Sequence, residues 1–400
     1  MNKPLRVLFV ANRLPYQGIA GGYSVIYKRI LGLARRGHEV GLVAFSRDEC
    51  EEQLDALRPY LHDIELVEAP PQRSFSQRLL DYFFAPEPSR FRDYKSDTIK
   101  KVIGDMVERS KYSLVVAEFL RMGQHLYSNP WLPAVRRVIS CHRSLSMMAQ
   151  TEIERMRPPL AWLWRLRIRG MEAYEWNLYK NMDHILVLTA SDRLRTLSVS
   201  PQARVTIAPG GVDIERFTAD FSRCRKHSVL FTGNFKDHAN EDAALWFGKQ
   251  VWPLLEQRDP QLTFKIVGPH ATTAMRRMAG KSDRIVLYGP ARDLRDALFE
   301  SKVFVCPTRI GAGMRTKVLE AMASGIPVVS TILGVEGIPA HVGVNCMLAD
   351  TPELMAEYVA HLLRDEELAL SLARNARSMI EERFTWDISI NRLEAALRRI

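Results

Sequence analysis

Short apolar runs without polar alternation recur along the chain, and each is followed by a turn marked by glycine, proline or a polar cluster. Leu5–Ala11 (LRVLFVA) is the first. A run with no polar face predicts a strand covered on both sides, as in a parallel sheet. After the loop NRLPYQGIAGG, a helical pattern runs from Ser24 to Arg36, stops at Gly37, and gives way to a second apolar run, Glu39–Phe45. That is a strand-helix-strand opening. Further strands are predicted at Ser113–Phe119, Arg136–Cys141, Asp183–Thr189 and Val205–Ala208, with helices at 160–179 and from Ser191 to about Ser198. Residues 50–112 read as a helical region broken by prolines, with an aromatic patch at Tyr82, Phe83, Phe84 and Phe91.

A second series follows a polar stretch, FTADFSRCRKHS, so a domain boundary is expected between about 210 and 226. Its strands are predicted at Ser228–Thr232, Thr263–Gly268, Ile285–Gly289, Val303–Cys306 and Ile326–Ser330. Asn240 is the expected N-cap of a helix bearing Trp246, Phe247, Val251 and Trp252. Helices at 351–382 and 385–399 close the chain. Strands alternating with helices predict an α/β protein of two domains, 1–215 and 226–384, and a separate last helix, 385–400.

One segment carries chemistry. In VFVCPTRIGAGMRTKVLEAMASGIPVVST (303–331), Gly311 and Gly313 make a loop whose amides can approach an anion. The loop feeds a helix beginning near Arg315 or Thr316, so the positive end of the helix dipole faces the same place. Arg315 and Lys317 add two charges, Arg309 is in position to add a third, and Glu320 is a lone carboxylate one turn further in. A diphosphate with nearby hydroxyl groups suits this set, as in a nucleotide sugar. An ordinary strand-helix-strand unit with a solvated basic turn is the other reading of the spacing.

Four hundred residues with 46% apolar content suit two cores. No stretch of eighteen apolar residues or signal-peptide pattern is seen, so a cytoplasmic protein is expected. Five scattered cysteines agree with a reducing compartment. The absence of DxD, CxxC or paired histidines argues against a metal site. The net charge is +10, and residues 136–170 hold eight arginines against two acids. Arginines interleaved with Trp162 and Trp164 suggest peripheral contact with an anionic membrane at its inner face; a helix packed on the sheet with solvated arginines is the plainer reading, and both can hold for different faces. Nucleic acid is not expected, since charge alone would speak for it.

The ordered pattern RxGxGxRxKxLEAMAxGxPVV resembles the donor-site motif of retaining, family-4-like GT-B glycosyltransferases, in particular the branch of sugar transferases associated with exopolysaccharide. Further matching pieces are Phe231–Asn234, Asn240–Ala243, Trp246–Phe247, Val251–Leu254 and the connection Pro209–Phe217. The resemblance implies two Rossmann-like domains facing across a cleft, with the last helix crossing back onto the first. It implies a sugar moved from a nucleotide-diphosphate sugar to a glycan or lipid-linked acceptor, without metal or cofactor. It further implies that Gly21 and Gly22 face the donor phosphate, and that His142 steadies the transferred sugar. Gly233, Asn234, Gly268, Pro269, Gly289 and Ala291 would line the nucleotide, and Arg309, Gly311, Gly313, Met314 and Thr316 the phosphates. Arg315 and Lys317 would neutralise the diphosphate, Glu320 would hold ribose hydroxyls, and Val335–Ile338 would close the rim.

Two departures stand out. Family members often carry two glutamates separated by seven residues; Glu320 is the second, but Ala312 occupies the first position. Where many members have an arginine and a lysine for the diphosphate, this chain has Asn234 and Asn240. A nucleotide-sugar epimerase and an inactive sugar-nucleotide-binding protein are the alternatives.

Overall fold

The computed structural model describes the chain except residues 1–2, 17–21, 47–50, 72, 75, 78–87, 143, 145, 147–152, 154–159, 224 and 292, and the side chains of 90, 160, 161 and 163–167. The chain divides into two compact units, one of Met1–Pro209 with Ser389–Ile400, the other of Gly210–Ile388.

In the first unit, seven parallel strands lie in the order β3-β2-β1-β4-β5-β6-β7. They are β1 (Arg6–Ala11), β2 (Glu39–Ser46), β3 (Asp63–Glu68), β4 (Leu114–Glu118), β5 (Arg136–Cys141), β6 (His184–Val187) and β7 (Val205–Ile207). Val7 to Ala11 of β1 are fully buried, as an unbroken apolar run demands of a central strand. One face packs on the Gly22–Arg35 helix and on the end of the chain, where Ile390, Leu393, Ala396 and Leu397 join the cluster around Val7 and Phe9. The predicted last helix, Trp386–Arg398, thus completes the core of the first unit, and Ser389 Oγ donates to Pro209 O at 2.6 Å.

β3 was not expected. Its sequence, DIELVE, alternates acids with apolar residues, and only Val67 is buried, which suits a sheet edge. The aromatic patch at Tyr82, Phe83 and Phe84 lies outside the described residues, while Phe91 is buried in the core.

The second unit has six parallel strands in the order β10-β9-β8-β11-β12-β13. They are β8 (Lys226–Thr232), β9 (Thr263–Val267), β10 (Ile285–Tyr288), β11 (Ser301–Cys306), β12 (Val328–Ser330) and β13 (Met347–Leu348). In each sheet the strand order reverses direction once, between β1 and β4 and between β8 and β11. Loops leaving the carboxyl ends of such a strand pair diverge to opposite faces and leave room for a ligand.

Candidate functional site

In the second unit, the loops after β8 and β11 carry the candidate residues. The helix after β8 is His238–Trp246, and its N-cap is Asp237, whose side chain accepts from the Ala239 amide at 3.1 Å. The expected cap, Asn240, has a different task. Its Nδ2 donates to Asn234 O at 2.9 Å, and its Oδ1 accepts from Lys317 Nζ at 2.6 Å. Asp237 takes the cap because it lies where the chain is still extended, whereas Asn240 is already inside the helix.

Lys317 lies in the first turn of the Thr316–Ala323 helix. Its ammonium also donates to Thr232 O at 2.6 Å and sits 4.5 Å from the centroid of the Phe231 ring. A cation on the carboxyl end of β8 is therefore held by one carbonyl, one amide oxygen and one aromatic face. Burial pushes the Lys317 amine down to about 8, and the nearby Arg315 charge acts in the same direction. One turn on, burial pushes the Glu320 carboxyl up to about 7, against the opposing influence of Arg216 and Lys317. Burial thus moves both groups toward their neutral forms.

The loop after β11 has Gly311 at φ 95° and Gly313 at φ 89°, a conformation that side chains rarely adopt. Its amides were expected to await an anion. The Gly313 amide instead donates to Glu336 Oε2 at 2.6 Å. Arg315 was expected to present its charge at the loop mouth. It is 7% exposed and turns back on the loop, donating to Ala312 O at 3.1 Å and Ile310 O at 3.4 Å. The third expected charge, Arg309, is paired with Asp242 at 2.7 Å and lies 5.1 Å from the Trp246 ring centroid. Met314 is buried among Val318, Leu319 and Met322. Thr316 begins the helix.

The loops after β8, β9 and β10 are stitched together. Gly233 N donates to Val267 O at 3.1 Å, Phe235 N to Pro269 O at 3.1 Å, and Gly268 N to Gly289 O at 3.2 Å. A Cβ on Gly268 would stand 1.8 Å from Gly233 O, so only glycine permits this approach. Gly289 and Ala291 are exposed at the rim.

In the first unit, His142 follows β5 directly. It is 4% exposed, and its Nε2 lies 2.6 Å from Oε2 of Glu118, the fully buried last residue of β4. Arg29, from the helix after β1, reaches Glu118 Oε1 at 3.3 Å and donates to Ser140 Oγ and Ala208 O, both at 2.7 Å. Burial pushes the Glu118 carboxyl up, but Arg29 and then His142 outweigh it and hold it below the usual range. Phe119, at φ 67°, covers the imidazole with ring centroids 4.5 Å apart. Gly22 leaves room for both: a Cβ there would be 2.7 Å from Phe119 Cε1 and 2.9 Å from His142 Nδ1. Its neighbour Gly21 lies outside the described residues. No group of three or more His, Cys, Asp or Glu suited to a metal ion occurs among the described residues.

Residues 226–365 match the family model of the glycosyl transferases group 1. The chain is a glycosyltransferase with the GT-B fold. This glycosyltransferase is 21% identical over 403 residues to an uncharacterised 44.6 kDa protein of the cps region of Klebsiella pneumoniae, with 95% of this chain and 96% of that protein covered. Among solved structures, sucrose-phosphate synthase from Thermosynechococcus elongatus superposes with a TM-score of 0.75 at 16% identity, covering 98% of each chain. HepE of Anabaena, solved with UDP, gives 0.71 at 15% identity, covering 99% of this chain and 100% of the other.

Of the glycosyltransferase's expected donor residues, the fold gathers Gly233, Asn234, Lys317 and the Gly311–Gly313 loop at the β8–β11 reversal, with Gly268 and Pro269 beside them. Glu118 and Arg29 escaped the sequence reading. The available signal was the acid ending the otherwise apolar run LVVAE, at the carboxyl end of a strand beside the sheet's reversal.

Proposed function

We propose that this glycosyltransferase takes its sugar from a nucleotide-diphosphate sugar, retains the anomeric configuration, and passes the sugar to a glycan or lipid-linked acceptor of a cell-surface polysaccharide or glycolipid. The observation that carries this is Lys317, a cation gathered onto the carboxyl end of β8 at the mouth of a helix N-terminus. Cleavage of the anomeric C–O bond leaves negative charge on the departing diphosphate. Lys317 and the amides opening the Thr316–Ala323 helix neutralise that charge where it develops, while Arg315 holds the loop in shape. Glu320 accepts from ribose hydroxyls, and the rim of Gly268, Pro269, Gly289 and Ala291 takes the base. With these groups in place no metal is required. His142, held by Glu118, steadies the transferred sugar. On retention, the leaving phosphate removes the acceptor's proton, so no protein base is needed.

A relative in a cps region and a fold neighbour solved with UDP support the polysaccharide setting and the nucleotide class. The enzyme works on the cytoplasmic side of the membrane; of the expected contact segment 136–170, Val138–His142 are buried in the sheet, so the contact is made by the later helix, where Trp162 is 63% exposed. No helix among the described residues is long and apolar enough to cross a membrane.

The test is calorimetric titration of UDP, GDP, CDP, TDP and ADP into wild type and Lys317→Ala without metal. One nucleotide should bind, and the substitution should weaken it by about tenfold to a hundredfold, the range of a lost hydrogen bond to a charged group. Absence of binding to all five would remove the donor-site assignment.

A further inference from the structure

The glycine loop after β11 already holds a carboxylate. From Pro307 to Arg315 the loop has no acidic residue of its own, and Ala312 contributes only a buried methyl. The acid arrives from the next connection. β12 ends at Ser330, a single 3-10 turn spans Leu333–Val335, and Glu336 follows it. This turn is fastened to the strand ends. Gly334 N donates to Thr331 Oγ1 at 3.0 Å, Thr331 N donates to Cys306 O at 3.2 Å, and Ile338 N to Val335 O at 2.9 Å. A Cβ on Gly334 would stand 2.2 Å from Ser330 Oγ and 2.6 Å from Cys306 O, so the turn lies directly on β11 and β12. Glu336 is thus delivered to a fixed place, where its Oε2 accepts the Gly313 amide at 2.6 Å while the residue stays partly exposed.

A carboxylate offers about four lone-pair sites and no donor. One is taken by Gly313, which orients the group and leaves the rest for hydroxyl donors. A phosphate would be repelled by it. One unit therefore offers two different chemistries, the Lys317 cation suited to a diphosphate and the Glu336 acceptor suited to hydroxyl groups.

We propose that Glu336 is a specificity-determining residue that accepts hydrogen bonds from hydroxyls of the transferred sugar, selecting among sugars on one nucleotide. The inference rests on the nucleotide-sugar reading above. It places sugar recognition on the turn after β12 rather than on the glycine loop itself.

The experiment compares Kd values of UDP, UDP-glucose and UDP-galactose, with the corresponding GDP pair GDP-mannose and GDP-glucose, for wild type, Glu336→Gln and Glu336→Ala. Thermal unfolding serves as a folding check. Glu336→Gln keeps an oxygen for the Gly313 amide and replaces the other acceptor by a donor. The expected result is a bare-nucleotide Kd within about twofold of wild type in both variants. The preferred nucleotide sugar should weaken by about tenfold to a hundredfold, the range of lost hydrogen bonds to a charged group, and discrimination between the two epimers should collapse. If both variants leave the sugar preference intact, or weaken nucleotide and nucleotide sugar equally, Glu336 is not the selector, while the donor site stands. If wild type binds none of these ligands, nor CDP, TDP or ADP, the nucleotide-sugar reading falls and takes the selector with it; binding of CDP, TDP or ADP alone moves the same comparison to two epimeric sugars on that nucleotide.

Discussion

Each unit of this glycosyltransferase places charged side chains at the reversal of its sheet, yet the two clusters are built in opposite ways. In the first, Arg29, Glu118 and His142 are 1%, 0% and 4% exposed, and each meets an oppositely charged or hydrogen-bonding partner. Glu118 keeps its charge because Arg29 and His142 overcome the cost of burial. In the second, Lys317 and Glu320 are both displaced toward neutrality by burial, to about 8 and about 7. The first cluster pairs opposite charges and burial is outweighed; in the second the partners of Lys317 are neutral and burial prevails. Charge at a strand end is thus ambiguous by itself, and its balance with burial separates a cluster braced from within, as Glu118 and Arg29 brace His142, from one displaced toward neutrality.

The comparison breaks most visibly at Glu118. Glu118→Ala strands Arg29 and His142 in a closed interior, and breaking a buried pair from one side typically destabilises by about 3–5 kcal/mol. Urea unfolding should show that loss, with Glu118→Gln falling between wild type and the alanine variant. A loss below about 1 kcal/mol would mean that water reaches the cluster and that it is no brace.

The second cluster should respond to pH instead. An amine depressed to about 8 is charged below that value and neutral above it. A diphosphate prefers the charged form, so the contribution of Lys317 to nucleotide affinity is full well below pH 8 and falls as pH rises through it, by up to about tenfold per unit. For the unliganded protein the sign is reversed. Between about 8 and the ordinary lysine value, the unfolded chain binds the proton more tightly, so Lys317's unfavourable contribution to stability shrinks as pH rises. Titrations at pH 7, 8 and 9.5 read the first effect. Lys317→Arg should flatten it, because a guanidinium stays charged throughout. A Kd that does not change across this range in wild type would place the decisive charge elsewhere.

The sheets were legible because a parallel strand buried on two faces must be apolar along its buried length, as Val7–Ala11 and Val303–Cys306 are. β3 was hidden because an edge strand can keep its acids, and β13 because two residues carry no period. The glycine loop and Lys317 could be read as local chemistry. Partners could not. Arg29 meets Glu118 across 89 residues: the acid ending LVVAE can be noticed, but nothing near it names its partner. Arg309 and Arg315 were legible as charges but not as directions: one long side chain turned to Asp242, the other to carbonyls of its own loop. Glu336 reaches Gly313 from the next connection, so the filled amide became visible only in three dimensions.

The smallest effect concerns the start of the helix after β8, where Asp237 and Asn240 are both competent caps three residues apart in DHAN. The structure divides two jobs between them. Asp237 accepts from Ala239 N outside the first turn, while Asn240, inside it, joins Asn234 O to the Lys317 ammonium. Asp237→Ala should therefore lower stability by about 1 kcal/mol, as lost caps do. Asn240→Ala should change the unfolding midpoint less, since helix position and backbone bonds remain, but should loosen Lys317 and weaken nucleotide binding by several-fold to about tenfold. Urea midpoints and nucleotide Kd values for the two variants form a two-by-two comparison in which stability and binding separate. The reverse assignment, with Asn240→Ala costing the cap and leaving binding untouched, would start the helix at Asn240 and deprive Lys317 of its side-chain partner.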